Sequence, residues 1–152
     1  MIDQQDVIEK LKNILSRPED IPHMLFTGSP GVGKTSVAIC FAKALLGENW
    51  KTKFIELNAS DERGIETVRG MIKKYASLMG KRILFLGESD RMTPDAQHAL
   101  RRIMERTRDT IFILDGNEEH KYIDAILSRC VIFRFHKIED KLILKRILEI
   151  CR

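Results

Sequence analysis

Cysteine is scarce in this sequence: Cys40, Cys130 and Cys151 are the three in 152 residues. Their number is odd, their spacing is wide and no C-x-x-C pair occurs, which argues against a disulfide framework or a zinc site and for a reducing compartment. The four histidines, His23, His98, His120 and His136, are scattered along the chain and read as ordinary surface or core residues rather than metal ligands. Long apolar runs are missing as well. None approaches the length needed to cross a bilayer, and 32% charged residues suit a water-facing surface, so no membrane partner is expected. No basic patch followed by an apolar run opens the chain, so no signal peptide is expected and the location reads as intracellular. There are no repeats and no low-complexity tracts. What remains is enough chain for one domain with a real core. The net charge of +4 permits an anionic partner without requiring one.

Strands and helices alternate, which points to an α/β fold with a parallel sheet covered by helices on both faces. Val7, Ile8, Leu11, Ile14 and Leu15 recur at helical spacing and predict an amphipathic first helix, broken by the segment from Arg17 to Pro22. Strands are expected at His23 to Thr27, Lys53 to Leu57, Arg82 to Leu86, Thr110 to Leu114 and Val131 to Phe135. A helix from Thr35 to Leu46 is expected to end at Gly47-Glu48-Asn49. Ile65, Val68, Ile72, Tyr75 and Met79 are expected to line one side of another helix. Thr93-Pro94 reads as an N-cap followed by proline in the first turn, opening a helix to about Arg106. A short helix is expected from Tyr122 to Leu127, and a last amphipathic one from Glu139 to Cys151, with Leu142, Ile143, Ile147 and Leu148 on its apolar side.

The strongest local signal is Gly28-Ser29-Pro30-Gly31-Val32-Gly33-Lys34-Thr35, which fits G-x-x-x-x-G-K-[ST] between an apolar strand and a helix. A polyphosphate needs many donors within a few ångströms. Glycines let the backbone curl so that several N–H groups point inward, and the helix that follows adds the positive end of its dipole. Lys34 would reach the β- and γ-phosphates and the Thr35 hydroxyl would hold magnesium. The expected nucleotide-binding set is Gly28, Ser29, Pro30, Gly31, Val32, Gly33, Lys34, Thr35 and Ser36, with ATP and Mg2+ as cofactors.

Further signals narrow the chemistry. Ile83-Leu84-Phe85-Leu86-Gly87-Glu88-Ser89-Asp90 is an apolar strand running into acids. Glu88 is placed to polarise an attacking water and to sit near the metal. Asn117, just beyond the strand starting at Thr110, would hold the γ-phosphate or the water. Arg129, within Ser128-Arg129-Cys130, is either part of a plain loop or a finger reaching a neighbouring subunit's nucleotide. The expected catalytic set is Glu88, Asn117 and Arg129. Arg69, Lys73 and Lys74 cluster on one helix, and Arg101, Arg102 and Arg106 on another. Such clusters are either a solvated face or a surface that tracks DNA phosphates without reading sequence.

The phosphate loop, Leu57-Asn58-Ala59-Ser60-Asp61-Glu62-Arg63-Gly64, Ala99-Leu100-Arg101-Arg102-Ile103-Met104-Glu105 and Ser128-Arg129-Cys130 occur in this order. That set closely resembles the small subunits of replication factor C, the archaeal and eukaryotic clamp loaders, from about residue 4 to the end. The resemblance implies an AAA+ ATPase core with a five-stranded parallel sheet flanked by helices, the phosphate-loop strand lying beside the strand that carries Asn117. It implies residues 1–136 as the nucleotide-binding domain and 137–152 as the start of a helical lid. Other clamp-loader subunits, a sliding clamp and primer–template DNA become the expected partners. The location would be cytoplasmic in an archaeon and nuclear in a eukaryote. By the same match Arg129 is the trans-acting finger, Asn58 is either a turn cap or a partner that restrains Glu88, and Arg69, Lys73, Lys74, Arg101 and Arg102 face DNA.

The chain departs from that family's pattern. The family ends its metal strand with Asp-Glu-Ala-Asp, where this chain has Gly87-Glu88-Ser89-Asp90. Nucleotide binding is expected to survive and hydrolysis to be impaired. Asp115 stands where the family carries a small hydroxyl residue; it is either an unrelated surface aspartate or a relocated metal carboxylate. The usual basic arm before the first helix, and the lid and collar beyond Arg152, are not in the sequence. An ATPase module and a nucleotide-binding partner that scarcely hydrolyses ATP therefore both remain open, as does an isolated fragment.

Overall fold

The computed structural model describes residues 5–60, 65–137 and 147–150. In chain order the elements are α1 (Gln5–Leu15), β1 (His23–Thr27), α2 (Lys34–Leu46), α3 (Trp50–Lys53), β2 (Phe54–Asn58), α4 (Ile65–Ala76), β3 (Arg82–Gly87), α5 (Pro94–Arg106), β4 (Thr110–Gly116), α6 (Asp124–Leu127) and β5 (Cys130–Arg134). The strands form one five-stranded sheet in the order β2-β3-β4-β1-β5. Every adjacent pair is parallel. The phosphate-loop strand thus lies between β4 and β5, as the family resemblance implies.

Alternation along the strands builds two cores. Met24, Phe26, Ile83, Phe85, Ile113 and Phe133 face α1 and α2, and pack with Val7, Leu11, Val37 and Phe41. Leu25, Leu84, Leu86, Phe112 and Leu114 face the other way, onto α4, α5 and α6 through Ile72, Leu100, Met104 and Ile126. Both faces of the central strands are covered, so these strands read as nearly unbroken apolar runs. Burying each large side chain contributes about 1.5–3 kcal/mol relative to exposure, and Phe26, Phe85, Phe112 and Phe133 are all fully buried.

The local chemistry explains most boundaries. The Thr93 hydroxyl accepts from the Ala96 amide at 3.2 Å, with Pro94 in the first turn, so α5 opens as its sequence predicts. The helix predicted through Met79 ends earlier, at Ala76. Its final turn tightens, with the Leu78 amide bonding the Tyr75 carbonyl, and Gly80 then takes a left-handed φ of 91°. Arg82 folds back to donate to the Met79 and Gly80 carbonyls. Met79 therefore projects into solvent, 92% exposed, rather than lining the helix. The side chains of Ile65 and Val68 lie outside the described set. After α2 the chain makes a single 3-10 turn, Gly47–Asn49, and then α3, which the periodicity did not predict. Residues 147–150 are helical, with Ile147, Leu148 and Ile150 exposed; the rest of the predicted last helix lies outside the described residues. Among the described residues, no helix is long and apolar enough to cross a membrane.

His23 gives the fold a pH dependence. Its Nδ1 accepts a hydrogen bond from the Phe112 amide at 3.1 Å, and burial lowers its pKa below 6.5. The unfolded chain therefore binds the proton more readily than the folded one, and this contribution to stability is complete above pH 6.5 and lost as pH falls through the lowered value. His23→Asn retains an acceptor and removes the titration. Denaturant midpoints at about pH 7 and about pH 5.5 should converge in His23→Asn, while the parent chain loses up to about 1.4 kcal/mol per pH unit from this group.

Candidate nucleotide site

At the C-terminal end of the sheet, where β1 gives way to α2, lies a cleft of about 370 Å³ lined by Pro30, Gly31, Gly33, Lys34, Thr35, Ser36, Glu88, Asp115 and Asn117. Ligands of open α/β sheets bind at this end. The loop that builds one wall needs its glycines. Gly31 and Gly33 take φ of 79° and 94°, and a Cβ at either would point into open space. At Gly28, φ is 146° and a Cβ would lie 2.7 Å from the Phe135 carbonyl oxygen, so any side chain there collides with backbone. Val32 turns its side chain into the core and leaves only its backbone to the loop. Gly33 caps α2 without a side-chain hydrogen bond, which leaves the first amides of that helix open toward the cleft.

Lys34 is buried at 6% exposure. Its ammonium donates to the Gly28 carbonyl, to the Gly116 carbonyl at 3.1 Å and to Asn117 Oδ1 at 3.1 Å. It also lies 3.1 Å from Asp115 Oδ1 as an ion pair, and among the described residues that oxygen accepts no well-aligned hydrogen bond. The Asp115 side chain is only 16% exposed. Burial pushes its carboxyl above the ordinary carboxylate range, while the Lys34 charge pulls it back. Asp115 is not on the open surface but lines the cleft, because β4 runs two residues beyond the predicted Leu114 and pairs Asp115 with Phe26 and Gly116 with Thr27.

Glu88 follows Gly87 in a left-handed conformation, φ 54°, the one positive φ among the described non-glycine residues. This kink carries its side chain to the Ser60 hydroxyl, which also lies 2.7 Å from Asn58 Oδ1. Asn58 in turn accepts from the Ser60 amide at 2.9 Å, which is the turn cap, one of its two readings. Asn58 reaches Glu88 through Ser60. Sequence reasoning passed over Ser60, and it also passed over Asp90. Asp90 is buried at 8% exposure, and its Oδ2 accepts from the Asn117 and Glu118 amides at 2.9 and 3.2 Å. It fixes the backbone that presents Asn117. An acid two residues beyond Glu88 was visible in the sequence, but its partners lie one strand away and 27 residues on.

Tyr122 and Ser89 complete this support. Their hydroxyls lie 2.7 Å apart, and Ser89 donates to the Asp115 carbonyl at 3.0 Å. Burial raises the Tyr122 pKa, so the phenol stays protonated. A Cβ at Gly116 would collide with the Tyr122 hydroxyl and approach Asp90 Cβ to 3.0 Å. Gly116→Ala should therefore cost about 1–3 kcal/mol by overpacking. A denaturant melt measures this; an unchanged midpoint contradicts the packing described.

The remaining predicted residues are elsewhere. Arg129 does not line the cleft; its guanidinium pairs with Glu105, which also accepts from Arg101 at 2.8 Å. All three side chains are substantially exposed, so these pairs contribute little stability. Arg69 pairs with Glu66 at 3.3 Å. Lys73, Lys74 and Arg102 are exposed on the adjacent helices α4 and α5. Asp61 to Gly64 lie outside the described residues.

The cleft fits a magnesium–polyphosphate. Thr35 contributes a hydroxyl, Glu88 and Asp115 contribute carboxylates, and the loop contributes amides. Among the described residues, no group of three or more His, Cys, Asp or Glu could hold a metal alone. A cation there would need oxygens brought by the phosphates.

Comparison with known proteins agrees with this geometry. The family model described as "ATPase family associated with various cellular activities (AAA)" matches residues 24–137. The chain is 48% identical to the replication factor C small subunit of Archaeoglobus fulgidus, over 99% of this chain and 49% of that protein. It is 46% identical to the same subunit of Methanococcus vannielii, again over 99% of this chain and 49% of the relative. The chain thus spans about half the length of the curated relatives it matches. Among solved structures, the Thermotoga maritima RuvB Holliday junction branch migration motor superimposes with a TM-score of 0.79 at 22% identity, covering 99% of this chain and 52% of that one. The Aeropyrum pernix ORC1 protein in complex with DNA does so with a TM-score of 0.75 at 18% identity, covering 99% and 49%. At these identities the two structures speak for the fold alone.

Proposed function

The chain belongs to the AAA family of ATPases, and from that premise we propose that it is the nucleotide-binding module of a clamp loader of the replication factor C type. It binds ATP with magnesium in the cleft between β1 and α2. The observation that carries this reading is the shared wall of the cleft. Open helix amides, Lys34 and Asn117 converge on one space, with Glu88 facing it under the restraint of Ser60 and Asn58.

Each residue has a part that follows from its place. The loop amides and Lys34 neutralise the phosphates. Thr35 would hold the magnesium ion. Asn117, fixed by Asp90, addresses the terminal phosphate or the attacking water. Glu88 polarises that water once released from Ser60. Arg129, outside its own cleft, serves a neighbouring subunit's nucleotide. Arg69, Lys73, Lys74, Arg101 and Arg102 offer positive charge to the phosphates of primer–template DNA. Other loader subunits and a sliding clamp complete the set of partners. These assignments rest on the relatives' identity and on the positions of the side chains.

Gly87 favours slow hydrolysis over rapid turnover. Strand β3 ends at Gly87 without a side chain, so it would offer a metal no ligand where such strands ordinarily supply one. The module thus binds nucleotide and hydrolyses it slowly. Phosphate release from ATP, measured alone, with primer–template DNA, and with DNA and clamp, tests the proposal. Slow release that DNA accelerates is expected. A rate indifferent to both additions would leave a nucleotide-binding module without a loader's response.

A further inference from the structure

Asp115 and Gly87 are neighbours across two strands. The register of β3 and β4 pairs Leu86 with Leu114, so the next residues, Gly87 and Asp115, stand side by side on the same face of the sheet. That is the face covered by α2, whose first turn begins at Lys34. The position that lacks a side chain and the carboxylate that lines the cleft are therefore about one strand spacing apart, ~4.8 Å. Around a Cβ at Gly87 the nearest atoms are the Leu57 carbonyl oxygen at 3.8 Å and Phe85 Cε1 at 4.0 Å, so this end of the sheet is not crowded.

The charge balance of the cleft is specific to Asp115. Lys34 is its ion-pair partner, and among the described residues the buried Oδ1 accepts no well-aligned hydrogen bond. A triphosphate draws the Lys34 ammonium to itself. The buried carboxylate would then face the phosphates with its countercharge gone, which is strongly unfavourable. A divalent cation bound to those phosphates resolves the conflict by supplying positive charge between the two.

We propose that Asp115 is the carboxylate that draws the nucleotide's magnesium ion into the cleft, a role moved from β3 to β4. The inference rests on the ATP-binding reading above and concerns the metal that accompanies the nucleotide. Two consequences follow. Without a divalent cation, Asp115 opposes ATP; with one, it favours ATP. Removing the carboxylate should therefore change the two affinities in opposite directions.

Equilibrium ATP affinity, with magnesium and with a chelator, tests this in the unsubstituted chain, Asp115→Asn and Asp115→Ser, each checked for folding by thermal unfolding. Magnesium should raise the affinity of the unsubstituted chain at least about tenfold. In the variants this gain should shrink by about tenfold, with metal-free binding tightened. Manganese in place of magnesium, followed by electron paramagnetic resonance, should show weaker retention of the ion in the variants. The double variant Gly87→Asp with Asp115→Asn should recover the gain. An undiminished gain in folded Asp115→Asn or Asp115→Ser overturns the proposal and leaves Asp115 as a counter-ion to Lys34. Absence of ATP binding by the unsubstituted chain under both conditions would overturn the underlying reading as well, and is distinguishable for that reason.

Discussion

Lys34→Ala is expected to weaken magnesium–ATP binding by about a hundredfold or more. The ammonium is buried and bridges the loop, the end of β4 and Asn117. A bound nucleotide would let it exchange these carbonyls for phosphate oxygens, which are better acceptors. Truncating one member of a buried, hydrogen-bonded charge pair typically costs about 2–5 kcal/mol, and every ~1.4 kcal/mol is tenfold in affinity. The same change strands Asp115, whose Oδ1 has Lys34 as its ion-pair partner. A moderate fall in the unfolding temperature should accompany the loss of binding. Isothermal titration of folded protein separates the two effects. Wild-type affinity in the variant would show that the lysine does not grip the phosphates.

Gly87→Asp is expected to raise ATP turnover by about a hundredfold. A carboxylate displaced by one strand spacing can attract an ion yet hold it poorly for reaction, and errors of about 1 Å in such placements cost on the order of 10²-fold. The substitution is sterically mild. The position has no positive φ, and its Cβ would make ordinary van der Waals contacts. Two neighbouring carboxylates repel, so the gain should be larger when Asp115→Ser is added. Steady-state phosphate release from the parent, Gly87→Asp and the double variant measures this. Equal rates in all three would show that the strand end does not limit hydrolysis.

The sequence carried the fold well because the strands are short apolar runs separated by strong punctuation, and the parallel order follows once helices alternate with them. Its misreadings have local causes. Met79 satisfied helical spacing, but Arg82 and the left-handed Gly80 pull the chain out of the helix before it. Asp115 and Gly116 do not read as strand residues, yet β1 pairs with both. In the cleft, the loop was legible because phosphate binding demands glycines at fixed spacing. The supporting residues were not. Ser60 and Asp90 act through partners 28 and 27 residues away, and such pairs become neighbours only when the sheet assembles. Arg129 illustrates the opposite limit. Its motif was plain, but its Glu105 partner in the isolated chain is not the nucleotide the motif implies.

Everything proposed for this chain depends on backbone amides between β1 and α2 wrapping a polyphosphate. Titrating magnesium–ATP into isotope-labelled protein and following backbone amide resonances by NMR tests it most directly. Saturable shifts, largest at Gly31, Gly33, Lys34 and Thr35, are expected. Saturable shifts confined to other parts of the chain, or none at all, would contradict it.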